Sequence, residues 1–364
     1  MSNRMAYLMH VDWNWIKQRP HFMAEELTRY FDVDLLYIKK ITSKNLVNNS
    51  LSAQFNNIET IIKMPLSARS KLLNNIEKVI NSNVVSEIYR REYDVIWITS
   101  PIMLQFIDLN KFHFSQVIVY DCMDDVISFP QNKAVINYVY NLEKQLLARA
   151  DVVFTSSFNL SKKMEERGAE QDIHIINNAM DLKTFSNKML ITKANDPESF
   201  FSIVYFGTIG SWIDFDVVVK IANYFSDIEF LFYGPKEVEV PLHPRIQYKG
   251  VVKHEDLLEI SYKANAFIMP FVVNDLILSV DPVKIYEYIA LGKPTIVVEY
   301  PETLKFSDFI YLYSTSDDLI DIITKIKNCS DPRKSEEEIA QFISNNSWGK
   351  RILEVQSILN NHIK

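Results

Sequence analysis

Short, almost wholly apolar runs alternate with helical patterns from one end of the chain to the other. Val95-Ile-Trp-Ile98 and Val117-Ile-Val-Tyr120 are two such runs. Runs without polar alternation suit strands buried on both faces of a parallel sheet. In the first half the pattern predicts strands over 6–11, 33–38, 95–100, 117–121, 151–156 and 173–177. In the second half it predicts them over 202–207, 228–234, 246–251, 266–271, 295–299 and 309–312. Helical patterns lie between most of them, among them 22–30, 138–149 and 160–167, the last followed by Gly168 as a C-cap. Strand, helix, strand, repeated, predicts doubly wound α/β units.

The pattern restarts once. It lapses into a polar stretch between Met180 and Phe200 and resumes with Phe201-Ser-Ile-Val-Tyr-Phe206. This predicts one Rossmann-like domain over 1–185, a second over 198–345, and a final helix over 346–364 that returns to the first. At 364 residues, two domains is also the natural count. Open α/β sheets bind ligands beyond the carboxyl ends of their strands, so the cleft between two such edges is the expected active site.

Composition narrows the class. Hydrophobic residues make up 48% and charged residues 23%, an ordinary globular balance. The net charge of -7 argues against a nucleic-acid partner, which a basic patch would announce. Two cysteines, Cys122 and Cys329, make no disulfide framework and no zinc spacing, which fits a reducing, cytoplasmic setting. Cys122 is read as packing, since no partner histidine is suggested. The start has no signal-peptide pattern, and no stretch approaches 18 apolar residues, so any membrane contact is expected to be peripheral.

The richest segment is Asp281-Pro-Val-Lys-Ile-Tyr-Glu-Tyr288. It reads as a helix start, with Asp281 as N-cap and Pro282 at the first helical position, ahead of Val283. A helix N-terminus presents free N–H groups and positive potential, which suit a diphosphate. Lys284 adds a point charge. Glu287, three residues on, shares its face and has the two acceptors that vicinal ribose hydroxyls need. A capped surface helix with a plain Lys284–Glu287 ion pair is the competing reading.

That segment, continued to Pro294, resembles the donor-site signature of GT-B glycosyltransferases. The nearest resemblance is to family 4-like bacterial enzymes of teichuronic acid assembly and to xanthan-type glucuronosyltransferases. Trp13-Asn-Trp-Ile-Lys-Gln-Arg-Pro-His-Phe22, Tyr120-Asp-Cys-Met-Asp-Asp125 and Ala150-Asp-Val-Val-Phe-Thr-Ser-Ser157 resemble the same group, in the same order. The resemblance implies a two-domain GT-B fold and a nucleotide-diphosphate sugar, UDP by family habit, as donor. It implies a saccharide or lipid-linked saccharide acceptor bound by the first domain, and no metal or other cofactor. Glu287 corresponds to the second glutamate of the family's E-x7-E motif, which holds the ribose. Ser279 stands where the first glutamate belongs, a departure that leaves the sugar contact unassigned. Lys284 matches a phosphate-binding lysine of the xanthan-type enzymes.

Three other places carry candidate chemistry. Phe206-Gly-Thr-Ile-Gly210 is a turn whose Gly207 and Gly210 admit close backbone approach, either to a diphosphate or simply to a tight strand-to-helix connection. Tyr233-Gly-Pro235 closes a strand at the same edge, and Gly250-Val-Val-Lys-His254 is a weaker candidate of that kind. Asp121-Cys-Met-Asp-Asp125 ends a buried strand of the first domain. A carboxylate there is placed to deprotonate an acceptor hydroxyl, with Asp124 the first choice ahead of Asp125 and Asp121. Helix capping and metal binding compete for these aspartates. The loop holding Trp13, Trp15, Arg19 and His21 offers aromatic faces and hydrogen-bonding tips to an acceptor, or else packs in the core and opens a helix.

Leu72, Leu73, Ile76, Val79, Ile80, Val84 and Val85 form an apolar stripe after Lys63, Arg69 and Lys71. A core-facing stripe and a peripheral membrane face both fit it. Two other functions stay open on the same fold. One is a nucleotide-sugar epimerase, and the other is an inactive scaffold protein.

Overall fold

A computed structural model describes residues 3–15, 17–42, 54–65, 67, 70–129, 132–182, 200–252, 256–328 and 334–363, without the side chain of Lys71. Most of the polar stretch expected as a linker lies outside these residues, as do Arg69, Lys253, His254 and Cys329. The chain forms two compact units: Met1–Asn177 with Trp348–Lys364, and Asn178–Ser347. The first unit thus ends at Asn177 rather than at 185, and the final helix belongs to it.

The first unit holds β1 (Asn3–Met9), α1 (Arg19–Leu27), β2 (Phe31–Lys40), β3 (Asn57–Lys63), α2 (Lys71–Arg90), β4 (Val95–Ile98), β5 (Val117–Cys122), α3 (Lys133–Leu147), β6 (Val152–Thr155), α4 (Phe158–Glu166) and β7 (Ile173–Ile175). The strands make one parallel sheet in the order β3-β2-β1-β4-β5-β6-β7. The order reverses between β1 and β4, the switch point of a doubly wound sheet. β4, β5 and β6 are buried at every position, as their largely apolar runs require. Gly168 ends α4 with φ +100°, and the N–H of Ala169 reaches back to the carbonyl of Met164 at 3.0 Å.

β3 is absent from the sequence expectation. Its segment, Asn-Ile-Glu-Thr-Ile-Ile-Lys, mixes polar and apolar positions because it is an edge strand with one buried residue, Ile61. Its outer edge is met by side chains of α2. Asn81 accepts from the N–H of Ile62 at 2.8 Å and donates to the Ile62 carbonyl at 2.9 Å. Glu77 accepts from the N–H of Met64 at 2.6 Å and from Gln105 at 2.8 Å. Side chains covering the edge in this way protect it from pairing with another chain.

The same contacts fix the rotation of α2. Its inner face is polar at Glu77 and Asn81, both buried, and its first turns point apolar residues outward. Leu72 is 71% exposed, Ile76 41%, Val79 73% and Ile80 51%. The core-facing expectation therefore fails for this half of the stripe. It holds only for Val84 and Val85, which pack against the core.

The second unit holds β8 (Phe201–Phe206), α5 (Phe215–Tyr224), β9 (Ile228–Tyr233), β10 (Ile246–Gly250), α6 (Leu257–Lys263), β11 (Ala266–Met269), α7 (Val283–Ala290), β12 (Thr295–Val298), α8 (Pro301–Leu304), β13 (Tyr311–Tyr313), α9 (Ser316–Asn328) and α10 (Glu336–Asn345). Its parallel sheet runs β10-β9-β8-β11-β12-β13, reversing between β8 and β11. The last helix, α11 (Trp348–Leu359), completes the first unit. There Trp348 stacks on Phe22 with centroids 5.4 Å apart, and Arg351 donates to the carbonyl of Asn177 at 3.2 Å.

Candidate functional site

The carboxyl end of β5 separates its three aspartates by environment. Asp121 is buried and paired with Arg19, whose Nη2 lies 2.8 Å and Nε 3.1 Å from Oδ1. The same guanidinium donates from Nη1 to the carbonyl of Ile176 at 2.6 Å. Asp125 is also buried. It accepts from Lys163 and Arg167, each at 2.7 Å, and from Ser128 at 2.5 Å. These partners hold its carboxyl below the usual range against the opposing effect of burial. Arg167 extends the network to Glu143 at 2.8 Å, and Glu143 accepts from Tyr120 at 2.8 Å.

Asp124 is different. It is half-buried, and among the described residues its carboxylate has no hydrogen bond or ion pair. Burial pushes its pKa up to about 7; the charge of Asp125 adds to the rise and that of Arg19 opposes it. A carboxyl group titrating near neutrality at a strand's carboxyl end is equipped for proton transfer.

The loop after β1 is built around buried side chains. Gln18 N–H donates to His21 Nδ1 at 3.2 Å, so Nδ1 is the acceptor and Nε2 carries the proton toward the Asp12 carbonyl at 3.3 Å. Burial brings the His21 pKa down to about 4, so the ring is neutral near pH 7. Trp13 is fully buried, edge-on to Phe55 at 5.2 Å and beside His21 at 5.3 Å. Of the four residues expected to meet an acceptor, Trp13, Arg19 and His21 are therefore core groups that shape the loop. Trp15, 40% exposed, is the one that faces solvent.

His10 was missed by sequence reasoning. It stands one residue past β1, its Nδ1 lies 2.8 Å from Thr99 Oγ1, and burial lowers its pKa to about 4. The strand expected over 6–11 hid it, since β1 stops at Met9.

In the second unit, three glycines with positive φ end three adjacent strands: Gly207 at +129°, Gly234 at +132° and Gly250 at +90°. Gly207 N–H donates to the Tyr233 carbonyl at 2.9 Å, and Gly234 N–H to the Gly250 carbonyl at 2.8 Å. A Cβ on Gly234 would stand 2.2 Å from the Gly207 carbonyl oxygen. A Cβ on Gly207 would stand 2.0 Å from Lys284 Cε, so that glycine makes room for the lysine stem. Gly210 serves Trp212 likewise, its Cβ position being 2.5 Å from the indole ring.

Lys284 lies in the first turn of α7. Its ammonium sits over the faces of Tyr205 at 5.8 Å and Phe271 at 5.9 Å. Among the described residues it has no hydrogen bond and no ion pair. Burial lowers its pKa, and the charge of Glu287, one turn along, opposes that fall. Glu287 is half-buried, and Tyr233 is buried at the end of β9. A half-buried ammonium beside a glycine turn is electrostatically suited to an anionic ligand.

The helix start differs from expectation. Pro282 is the N-cap and Val283 the first helical residue, with no side-chain cap. Asp281 does not cap because its buried carboxylate is claimed elsewhere. It accepts from Asn178 N–H at 2.6 Å, pairs with Lys305 at 2.8 Å, and lies 3.2 Å from the Tyr286 hydroxyl. Ser279 is buried, and its hydroxyl donates to the Asp275 carbonyl at 3.2 Å.

Gly207→Ala is expected to cost about 1–3 kcal/mol of stability from the disallowed φ alone. It should also displace Lys284. A thermal melt reads the first effect and calorimetry with UDP the second; a melting point equal to wild type would contradict the steric account.

No family model matches the chain. TuaH of Bacillus subtilis (strain 168), provisionally described as a teichuronic acid biosynthesis glycosyltransferase, is 23% identical over 250 residues. That match takes in 63% of this chain and 61% of TuaH, so it spans about three-fifths of the relative. Among solved structures, sucrose-phosphate synthase from Thermosynechococcus elongatus superposes with a TM-score of 0.71 at 13% identity, covering 99% of this chain and 98% of that one. An E. coli trehalose-6-phosphate structure bound with UDP-2-fluoro glucose gives 0.62 at 9% identity, with 99% of each chain covered. The fold is that of the GT-B glycosyltransferases.

Proposed function

We propose that the chain is a glycosyltransferase that moves a sugar from a nucleotide-diphosphate sugar, with UDP as the nucleotide, to a hydroxyl of a saccharide or lipid-linked saccharide in surface-polysaccharide synthesis. One observation carries the donor half: among the described residues Lys284 has no ion pair, and it lies against Gly207 with Glu287 one turn along the same helix. The likeness to TuaH and the UDP-sugar bound to a protein of the same fold support the reading.

In this reaction the second unit holds the donor. Glu287 accepts hydrogen bonds from the ribose hydroxyls, and Lys284 faces the diphosphate. Asp124 takes the proton from the acceptor hydroxyl as that oxygen bonds to the anomeric carbon. The bond to the diphosphate breaks, and the charge left on the leaving oxygen is met by Lys284. A fixed cation there does the job assigned to a metal in other transferases, so transfer is expected to proceed without added metal. With Ser279 engaged on the Asp275 carbonyl, the sugar's contacts come from other groups.

Calorimetry with UDP tests the donor assignment. Glu287→Ala and Lys284→Met are each expected to weaken binding about tenfold or more, the loss of one charge-assisted hydrogen bond. Unchanged affinity in both variants would remove this helix from the donor site. UDP binding without transfer, tried against acceptor saccharides, would favour the scaffold reading instead.

A further inference from the structure

We infer that His10 is an acceptor-binding residue, whose ring Nε2 accepts a hydrogen bond from a hydroxyl of the saccharide that receives the sugar. The inference rests on the acceptor half of the proposed reaction and adds a contact that Asp124 does not supply. Open α/β sheets take their ligands outside the carboxyl ends of the strands, where the strand order reverses. In the first sheet that reversal lies between β1 and β4. His10 is the first residue after β1 and Thr99 the first after β4, and the two meet across the switch point. The backbone N–H of His10 donates to Thr99 Oγ1 at 3.1 Å, and ring Nδ1 lies 2.8 Å from the same oxygen.

The Thr99 hydroxyl fixes the tautomer. Its oxygen has a third neighbour, the Leu8 carbonyl at 3.2 Å, and only one proton to give. If that proton goes to Nδ1, a hydroxyl lone pair is left facing the Leu8 oxygen. If it goes to Leu8, Nδ1 carries a proton of its own and donates to Thr99. All three contacts then join a donor to an acceptor. His10 is thus protonated on Nδ1 and has its lone pair on Nε2. The residue is half-buried, and among the described residues Nε2 has no hydrogen-bond partner. Burial holds the ring neutral near pH 7, with a pKa of about 4, and the neighbouring His21 is neutral for the same reason.

The two pKa values divide the work. A base serves best with a pKa near the working pH, so Asp124 at about 7 outranks an imidazole at about 4. Nε2 is left to hold a hydroxyl rather than to deprotonate one. β1, β4 and β5 are successive neighbours in the sheet, so the ends of β1 and β5 stand roughly 10 Å apart. An interval of that size suits one sugar ring, with its reacting hydroxyl at Asp124 and a second hydroxyl of the same ring at Nε2. The acceptor class is therefore a saccharide whose terminal ring has a second free hydroxyl besides the reacting one.

Asparagine and glutamine separate the two ring nitrogens. His10→Asn puts an amide N–H where Nδ1 stands and has nothing at Nε2, while His10→Gln brings a carbonyl oxygen near Nε2. Nitrogen-15 NMR of the histidine-labelled full chain, titrated with the methyl glycosides of glucose, galactose and N-acetylglucosamine, reads the ring directly. The free chain is expected to show the Nδ1-protonated ring, and at least one glycoside should shift the Nε2 signal. His10→Asn should weaken binding of that glycoside about three- to tenfold, the equivalent of one neutral hydrogen bond, and His10→Gln should recover most of the loss. The inference is overturned by an Nε2-protonated ring, by an Nε2 signal that none of the three glycosides moves, or by full binding in His10→Asn. It is equally overturned if His10→Gln binds no better than His10→Asn. UDP affinity of the wild-type chain, measured alongside, keeps the two readings apart. A chain that binds UDP while Nε2 stays unmoved loses this inference alone, and one whose Nε2 responds without any UDP binding loses the donor assignment instead.

Discussion

Asp124→Asn is expected to slow sugar transfer by about 10²–10⁴-fold, the usual contribution of a general base, while leaving UDP affinity unchanged. Asparagine keeps the shape of the side chain and loses only the basic oxygen. Its neighbours cannot substitute, because Asp121 is held by Arg19 and Asp125 by Lys163 and Arg167. The wild-type pH profile supplies an independent check. With a pKa of about 7, the base is largely protonated at pH 6 and largely ionised at pH 8. Transfer should therefore rise through neutrality and level off above it. Stability runs the other way. A carboxyl whose folded pKa is raised from 3.8 binds its proton more tightly in the folded state, so it costs stability progressively as pH climbs from about 4 through 7. Asp124→Asn should thus melt higher than wild type at pH 8 and not at pH 4. Full transfer activity in the variant would clear Asp124 of the role.

Arg19→Met carries the second large effect, and it is structural. The substitution leaves the Asp121 carboxylate at 1% exposure without its bidentate partner, and frees the Ile176 carbonyl as well. Removing one member of a buried pair typically costs about 3–5 kcal/mol, because the remaining charge is stranded. Denaturant unfolding measures this directly. Arg19→Met with Asp121→Leu removes both charges and should recover much of the loss. If the single variant were as stable as wild type, the pair would not anchor β5 to α1.

The strand-helix alternation was legible because parallel strands buried on both faces leave nearly continuous apolar runs. β3 was not, since one buried residue on an edge strand makes no run. The stripe on α2 was visible as a period, but a period does not say which side faces inward. Here the inner face is polar, and its partners on β3 lie ten and more positions away in sequence. Lys284 and Glu287 were legible from spacing at a helix start. The aromatic faces of Tyr205 and Phe271 that flank Lys284 were not, because β8 and the residues just after β11 come together only through the sheet. The same limit applies to Asp281, whose cap-like position gave no hint of Asn178 and Lys305. The three aspartates at the carboxyl end of β5 looked alike in sequence. Their separation depends on Arg19, Lys163 and Arg167, which come from two other helices.

The stacking of Trp348 on Phe22 has a consequence for the order in which the protein can form. Everything from Asn178 to Ser347 lies between the body of the first unit and the helix that completes it. On the ribosome, at about 5–20 residues per second, the second unit emerges whole before α11 does. The first unit must therefore wait, with Phe22 and the rest of the α11 contact surface uncovered, while a complete neighbour folds. A helix made after the second unit completes the first.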